Sequence, residues 1–144
     1  MIYLDTSYIV KAYIREPGSD LVLSELEGQS GLTASRLAKV EFVSALMRQR
    51  KAGDISKAAA GSAIHSLEKD SAIGIWTWID ISGSILSAST ALLTHRSHFG
   101  KLRSLDAIHL ATAKNLGTER LYTHDQRMFE AAEHFGLNPI DVIP

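Results

Sequence analysis

Short apolar runs alternate along the chain with longer stretches of helical period. Ile2-Tyr3-Leu4 is apolar and stops at Asp5, the pattern of a short buried strand. Residues 7–14 follow as a helix with Thr6 or Ser7 near its cap. Glu16-Pro17-Gly18 punctuates its end. A second short helix is expected over 20–27, with Leu21, Leu23 and Leu26 as its apolar contacts and Gly28 and Gly31 closing it. Leu32-Thr33-Ala34 reads as a second strand because a long helix begins directly after it. That third helix spans about 36–51 and ends at Gly53. A wheel at about 100° per residue groups Val40, Phe42, Val43, Leu46 and Met47 on an apolar side. Glu41, Ser44 and Arg48 fall on the other. Asp54 is the expected cap of a fourth helix, 55–69, with Ile64 and Leu67 inward, so that helices three and four form a hairpin.

Residues 75–81 are rich in β-branched and aromatic residues and predict a strand, with Trp76 and Trp78 as packing residues. A fifth helix over 84–96 carries Ile85, Leu86, Leu92 and Leu93. The polar stretch 95–103 reads as a loop. Ser104 is the expected cap of a sixth helix, 105–116, stopped by Gly117. Residues 120–123 form a fourth strand, 126–135 a seventh helix stopped at Gly136, and 140–143 a last strand. Strands alternating with helices imply an α/β fold with a parallel sheet covered on both faces.

A length of 144 residues suits one domain over residues 1–144 with a sizeable core. Hydrophobic residues at 45% and charged ones at 22% are ordinary values for a soluble globular chain. The net charge of −1 removes any global basic field and argues against a high-affinity nucleic-acid scaffold. It leaves open an enzyme with a local basic rim. The chain has no cysteine, which excludes disulfides, thiolate catalysis and cysteine metal sites and is compatible with a reducing cytosol. No signal-peptide pattern and no run of bilayer length is found, so a cytoplasmic protein without a membrane partner is expected.

Four carboxylates stand out by position: Asp5 at the end of strand one, Glu41 two turns into the long helix, Asp106 in the first turn of the sixth helix, and Asp125 after the fourth strand. Each has an ordinary explanation taken singly. Asp5 and Asp125 suit helix caps, Glu41 a solvated face paired with Arg48, and Asp106 a position favoured by the helix dipole. The functional case rests on convergence, because ligands collect at the carboxyl ends of parallel strands. Acids gathered there raise one another's proton affinity unless a cation intervenes. Oxygen-only ligands favour Mg²⁺ or Mn²⁺, as one ion or two, and the implied chemistry is phosphodiester hydrolysis. His109, one turn after Asp106, is either an assistant or a structural core histidine. Lys101, Arg103 and Arg127 are candidate phosphate contacts or solvated loop residues.

The residues Ile2 to Ser7 (IYLDTS), Ser35 to Leu46 (SRLAKVEFVSAL), Ser104 to Ala113 (SLDAIHLATA) and Thr123 to Arg127 (THDQR) carry a resemblance over nearly the whole chain. The sequence resembles the PIN-domain ribonucleases, and within them the VapC-like toxins of type II toxin–antitoxin pairs. The resemblance implies a three-layer α/β/α sandwich with a central parallel sheet, commonly a homodimer. It implies that Asp5, Glu41, Asp106 and Asp125 form a catalytic metal site for Mg²⁺, with Asp5 and Asp106 its most direct ligands. Thr6, Ser7 and Thr123 would support the carboxylates, beside the substrate contacts Arg103 and Arg127. The implied substrate is RNA, cut endonucleolytically, and the implied partner a cognate antitoxin that occludes the cleft. Three rivals are set against this reading. A haloacid-dehalogenase-like, metal-dependent phosphatase wants a second Asp where Ser7 stands. A receiver domain wants a switch lysine after Thr123 that is missing. A catalytically silent PIN module serving as a binding surface would not need all four acids, and only an assay separates it.

Overall fold

The computed structural model describes residues 1–95, 102–118 and 120–144. Five strands, β1 (Ile2–Leu4), β2 (Leu32–Ser35), β3 (Trp76–Ile79), β4 (Arg120–Tyr122) and β5 (Pro139–Ile140), form one sheet in the order β3-β2-β1-β4-β5. Every pairing is parallel. Seven helices intervene among the described residues: α1 (Thr6–Tyr13), α2 (Ser19–Leu26), α3 (Leu37–Ala52), α4 (Lys57–Ala72), α5 (Gly83–Thr94), α6 (Ser104–Leu116) and α7 (Gln126–His134). From β1 the chain winds outward through β2 to β3, then returns to lay β4 on the other side of β1. The order therefore reverses between β1 and β4, where a doubly wound sheet opens its ligand crevice.

The central strand β1 is apolar on both faces because both are covered. Ile2, Leu4 and Tyr122 pack into one core with Tyr8 and Ile9 of α1, Val22 of α2, Phe42 and Leu46 of α3, and Leu67 of α4. Tyr3 and Leu121 point the other way, into a core with Ile85 of α5, Leu110 of α6 and Met128 of α7. That is the three-layer α/β/α sandwich, and adjacent residues of β1 serve opposite layers, as the period of two requires.

Local details depart from the sequence reading. The buried stripe of α3 is Ala38, Phe42 and Leu46, spaced four apart. Val40, Val43 and Met47 are exposed, Val40 to 69%. The wheel gave no weight to Ala38, and a helix crossing a neighbour at close range is seated on such small residues. Similarly, Val22 is the buried contact of α2, while Leu21 and Leu23 are exposed. In α5, Ile85 and Leu92 are buried and Leu86 is exposed. Asp5, rather than Thr6 or Ser7, caps α1. Ser56, rather than Asp54, caps α4, accepting from Ala59 N at 3.0 Å. Ser104 is the first helical residue of α6, and Arg103 stands at the cap. The last strand is shorter and earlier than expected. Trp76 is buried, donates Nε1–H to Tyr13 Oη at 2.8 Å and stacks on Trp78 with centroids 5.3 Å apart, so both tryptophans are packing residues. Among the described residues no helix is long and apolar enough to cross a membrane.

Candidate functional site at the β1–β4 edge

The register Leu4↔Tyr122 sets Asp5 and Thr123 side by side at the carboxyl edge of the sheet. Three helices, α1, α6 and α7, begin around this edge, and each engages one of the predicted acids through its first amides. Asp5 Oδ1 accepts from Ser7 N at 2.9 Å and Tyr8 N at 3.4 Å. Asp125 Oδ1 accepts from Arg127 N at 2.9 Å and Met128 N at 3.2 Å. Asp106 Oδ2 accepts from Arg103 N at 3.1 Å. Converging helix N-termini place partial positive charge here, which is why anionic side chains collect.

Hydroxyls tie the same groups across the fold. Ser7 Oγ donates to Asp5 Oδ1 at 2.5 Å and accepts from His124 N at 2.9 Å. Thr123 Oγ1 donates to Asp5 Oδ2 and accepts from Asp125 N at 3.1 Å. Thr6 Oγ1 donates to Glu41 Oε1 at 2.8 Å, which brings α3 to the edge. Glu41 Oε1 also meets His109 Nε2 at 2.5 Å. Thr6, Ser7 and Thr123 are thus hydrogen-bonded to the acids they were expected to support. Arg103 is exposed at the α6 cap, and Arg127 pairs with Asp125 at 3.3 Å. Lys101, and most of the predicted loop 95–103, lie outside the described residues.

The electrostatics divide the four acids into two pairs. Burial pushes the Asp5 carboxyl above the usual range, against the hydrogen bonds from Ser7 and Thr123. Burial also raises Asp106, and the neighbouring Asp125 charge adds to it. For Glu41, burial again pushes upward, but the His109 and Thr6 hydrogen bonds outweigh it and hold the carboxyl low. Burial is likewise outweighed at Asp125, chiefly by Arg127. Among the described residues, neither Asp5 nor Asp106 has an ion-pair partner.

The donor set suits a hard divalent ion, since it is all oxygen and two of its acids form no ion pair among the described residues. The carboxylates share one sheet edge without closing on a point: among the described residues no group of three or more His, Asp or Glu side chains is disposed to hold a metal ion. Beside them, α1 and α3 enclose a cavity of about 630 Å³ lined by Thr6, Ser7, Glu41, Arg48, Lys11 and His124, among others. Lys11 is engaged with Glu16 at 3.0 Å, whereas the Arg48 guanidinium forms no ion pair among the described residues and donates to Ser44 Oγ at 3.4 Å. Sequence reasoning did not propose Arg48 or His124 as substrate-facing. The signal for Arg48 was its place on the Glu41 face of α3.

A family model for the PIN domain matches residues 2–134. The chain is 35% identical over 138 residues to Ribonuclease VapC46 of Mycobacterium tuberculosis, covering 94% of this chain and 93% of that one. In structure it is similar to the M. tuberculosis toxin VapC20, a Sarcin-Ricin loop cleaving toxin, with a TM-score of 0.75 and 15% identity over the full length of both chains. It is also similar to a chain of a toxin–antitoxin complex from Klebsiella pneumoniae, with a TM-score of 0.60, 22% identity and 90% of each chain covered.

Proposed function

This chain belongs to the PIN-domain family, and from that premise we propose that it is a metal-dependent endoribonuclease, the toxin of a type II toxin–antitoxin pair. The carrying observation is that Asp5 and Asp106 are the two acids that burial raises above the usual range and that form no ion pair among the described residues. A buried carboxylate without countercharge costs several kcal/mol to ionise, on the order of 1.4 for each pKa unit, and a divalent cation removes that cost. Asp5 and Asp106 would hold Mg²⁺, or Mn²⁺, with Glu41 and Asp125 completing the acidic wall. When bound, such an ion screens the phosphodiester and makes water a competent nucleophile near neutral pH.

The chain's own residues supply orientation. Ser7 and Thr123 hold both oxygens of Asp5, so its carboxylate cannot turn. Thr6 and His109 hold Glu41 Oε1. Arg48, beside Glu41 on the cavity wall, is placed to take a backbone phosphate of the RNA, a contact that positions without reading sequence. Arg103 and Arg127 belong to the same basic rim. The likeness to the Klebsiella toxin–antitoxin complex supports an antitoxin partner, and the single domain is proposed to act as a homodimer in the cytoplasm.

Purified protein should cleave RNA in Mg²⁺, stop in EDTA and resume when Mg²⁺ or Mn²⁺ is restored. Cleavage that survives both EDTA and Asp5→Asn would refute the metal mechanism. RNA binding without cleavage under any divalent ion would instead favour the silent binding module.

A further inference from the structure

His109 lies on α6 and is buried to 3% exposure, yet it has a polar partner at each ring nitrogen. Nδ1 meets Tyr3 Oη of β1 at 2.7 Å, and Nε2 meets Glu41 Oε1 of α3 at 2.5 Å. The imidazole therefore links three elements, the central strand and one helix from each layer. Counting hydrogens assigns its tautomer. Tyr3 Oη accepts from Ser35 N at 3.3 Å, so one lone pair is taken. A phenol carries its proton at neutral pH. That single proton needs an acceptor, and Nδ1 is the nearest. A carboxylate oxygen can only accept, so Nε2 carries the other hydrogen.

We propose that His109 is a positioning residue for Glu41: held between Tyr3 and Glu41 as the Nε2–H tautomer, it donates to Glu41 Oε1. Thr6 donates to the same oxygen, at 2.8 Å. Both donors load Oε1, and among the described residues Oε2 has no hydrogen-bond partner. Oε2 is thus the one oxygen of Glu41 left for the cation or for a water that it carries. Ligating side chains are commonly oriented by hydrogen bonds from residues outside them, carboxylates included. Here the outer residue acts on a carboxylate. This assignment deepens the ribonuclease reading and rests on it for what Oε2 would face. The tautomer itself rests only on the three contacts.

The test begins with metal-free wild-type protein. Long-range ¹⁵N–¹H spectra of the imidazoles should show His109 with Nε2 protonated and Nδ1 bare, and Tyr3→Phe should leave Nε2 protonated while shifting the Nδ1 resonance, which loses its donor. Mn²⁺ binding, read by its electron paramagnetic resonance, is then compared across variants that retain the wild-type circular dichroism. His109→Gln, whose amide nitrogen reaches the Nε2 position, should keep affinity near wild type. His109→Asn, whose amide reaches only the Nδ1 position, should weaken it by about ten- to a hundredfold, with the KM for RNA unchanged. A protonated Nδ1 in the wild type, or His109→Asn binding Mn²⁺ as tightly as wild type, overturns the proposal. Should His109→Asn fail to fold, Tyr3→Phe decides: a His109 spectrum unchanged from wild type overturns the proposal too. Wild-type protein that binds no Mn²⁺ would fail the metal reading instead, and the imidazole spectrum would then decide the His109 assignment alone.

Discussion

Thr123 donates its hydroxyl to Asp5 Oδ2 across 118 positions of sequence, and Thr123 Oγ1 accepts in turn from the amide of Asp125. One buried side chain thus couples the ends of β1 and β4 to the cap of α7. Thr123→Val keeps the shape and removes the hydroxyl. The hydrogen bond to a charged group is lost and a backbone amide loses its acceptor, so stability should fall by about 1.5–3 kcal/mol in urea denaturation. RNA cleavage should fall by roughly ten- to a hundredfold, since Asp5 is then free to turn.

Asp5→Asn should abolish at least about a hundredfold of activity while raising the melting temperature. The folded Asp5 carboxyl lies above its unfolded value. Between those two values the native state holds the extra proton, so ionisation makes stability fall as pH rises through the window. The Asn variant escapes this cost. Its melting temperature should exceed that of metal-free wild type by an amount that grows as pH rises above about 4, at roughly 2–4 °C per kcal/mol. Adding Mg²⁺ should close the gap from the wild-type side. Calorimetry over a pH series checks it, and a lower melting temperature for the variant at neutral pH would contradict it.

Phe42 and Val40 are two residues apart in α3 and opposite in consequence. Phe42 is fully buried against Tyr13, edge to face at 5.9 Å between centroids. Phe42→Ala should cost about 3–5 kcal/mol. Val40→Ala should stay within about 0.5 kcal/mol, because that side chain faces the cavity and solvent. Equilibrium denaturation of the two variants side by side measures the contrast.

Gly18 precedes α2 at φ +91°, a conformation that suits glycine. A Cβ there would also stand 2.8 Å from Ile143 Cδ1 of the C-terminal segment. Gly18→Ala should therefore destabilise by about 1–3 kcal/mol. Ile143→Ala in the same background should recover part of the loss, as a double-mutant cycle would show.

Much of this was legible in the chain itself. The α/β alternation follows from local period, since a short strand of two to four residues and a helix with a three-to-four spacing each announce themselves within a window. Asp5, Asp106 and Asp125 were readable for the same reason: each stands where a strand ends or a helix begins. Glu41 had no such marker, and neither did the cap choices at Ser56 and Arg103, where several polar residues compete within one turn.

Sequence alone determined the alternation of strands and helices and that Asp5, Asp106 and Asp125 stand at element ends, because both depend on neighbours within a few residues. Only the tertiary structure decided which face of α3 is buried, since that depends on how closely α1 and β2 approach it. Only the fold could decide that Glu41 is held by Thr6 and His109 while Asp5 and Asp106 form no ion pair among the described residues. The partners of those groups lie tens of residues away, and hydrogen-bond geometry and desolvation act through space rather than along the chain.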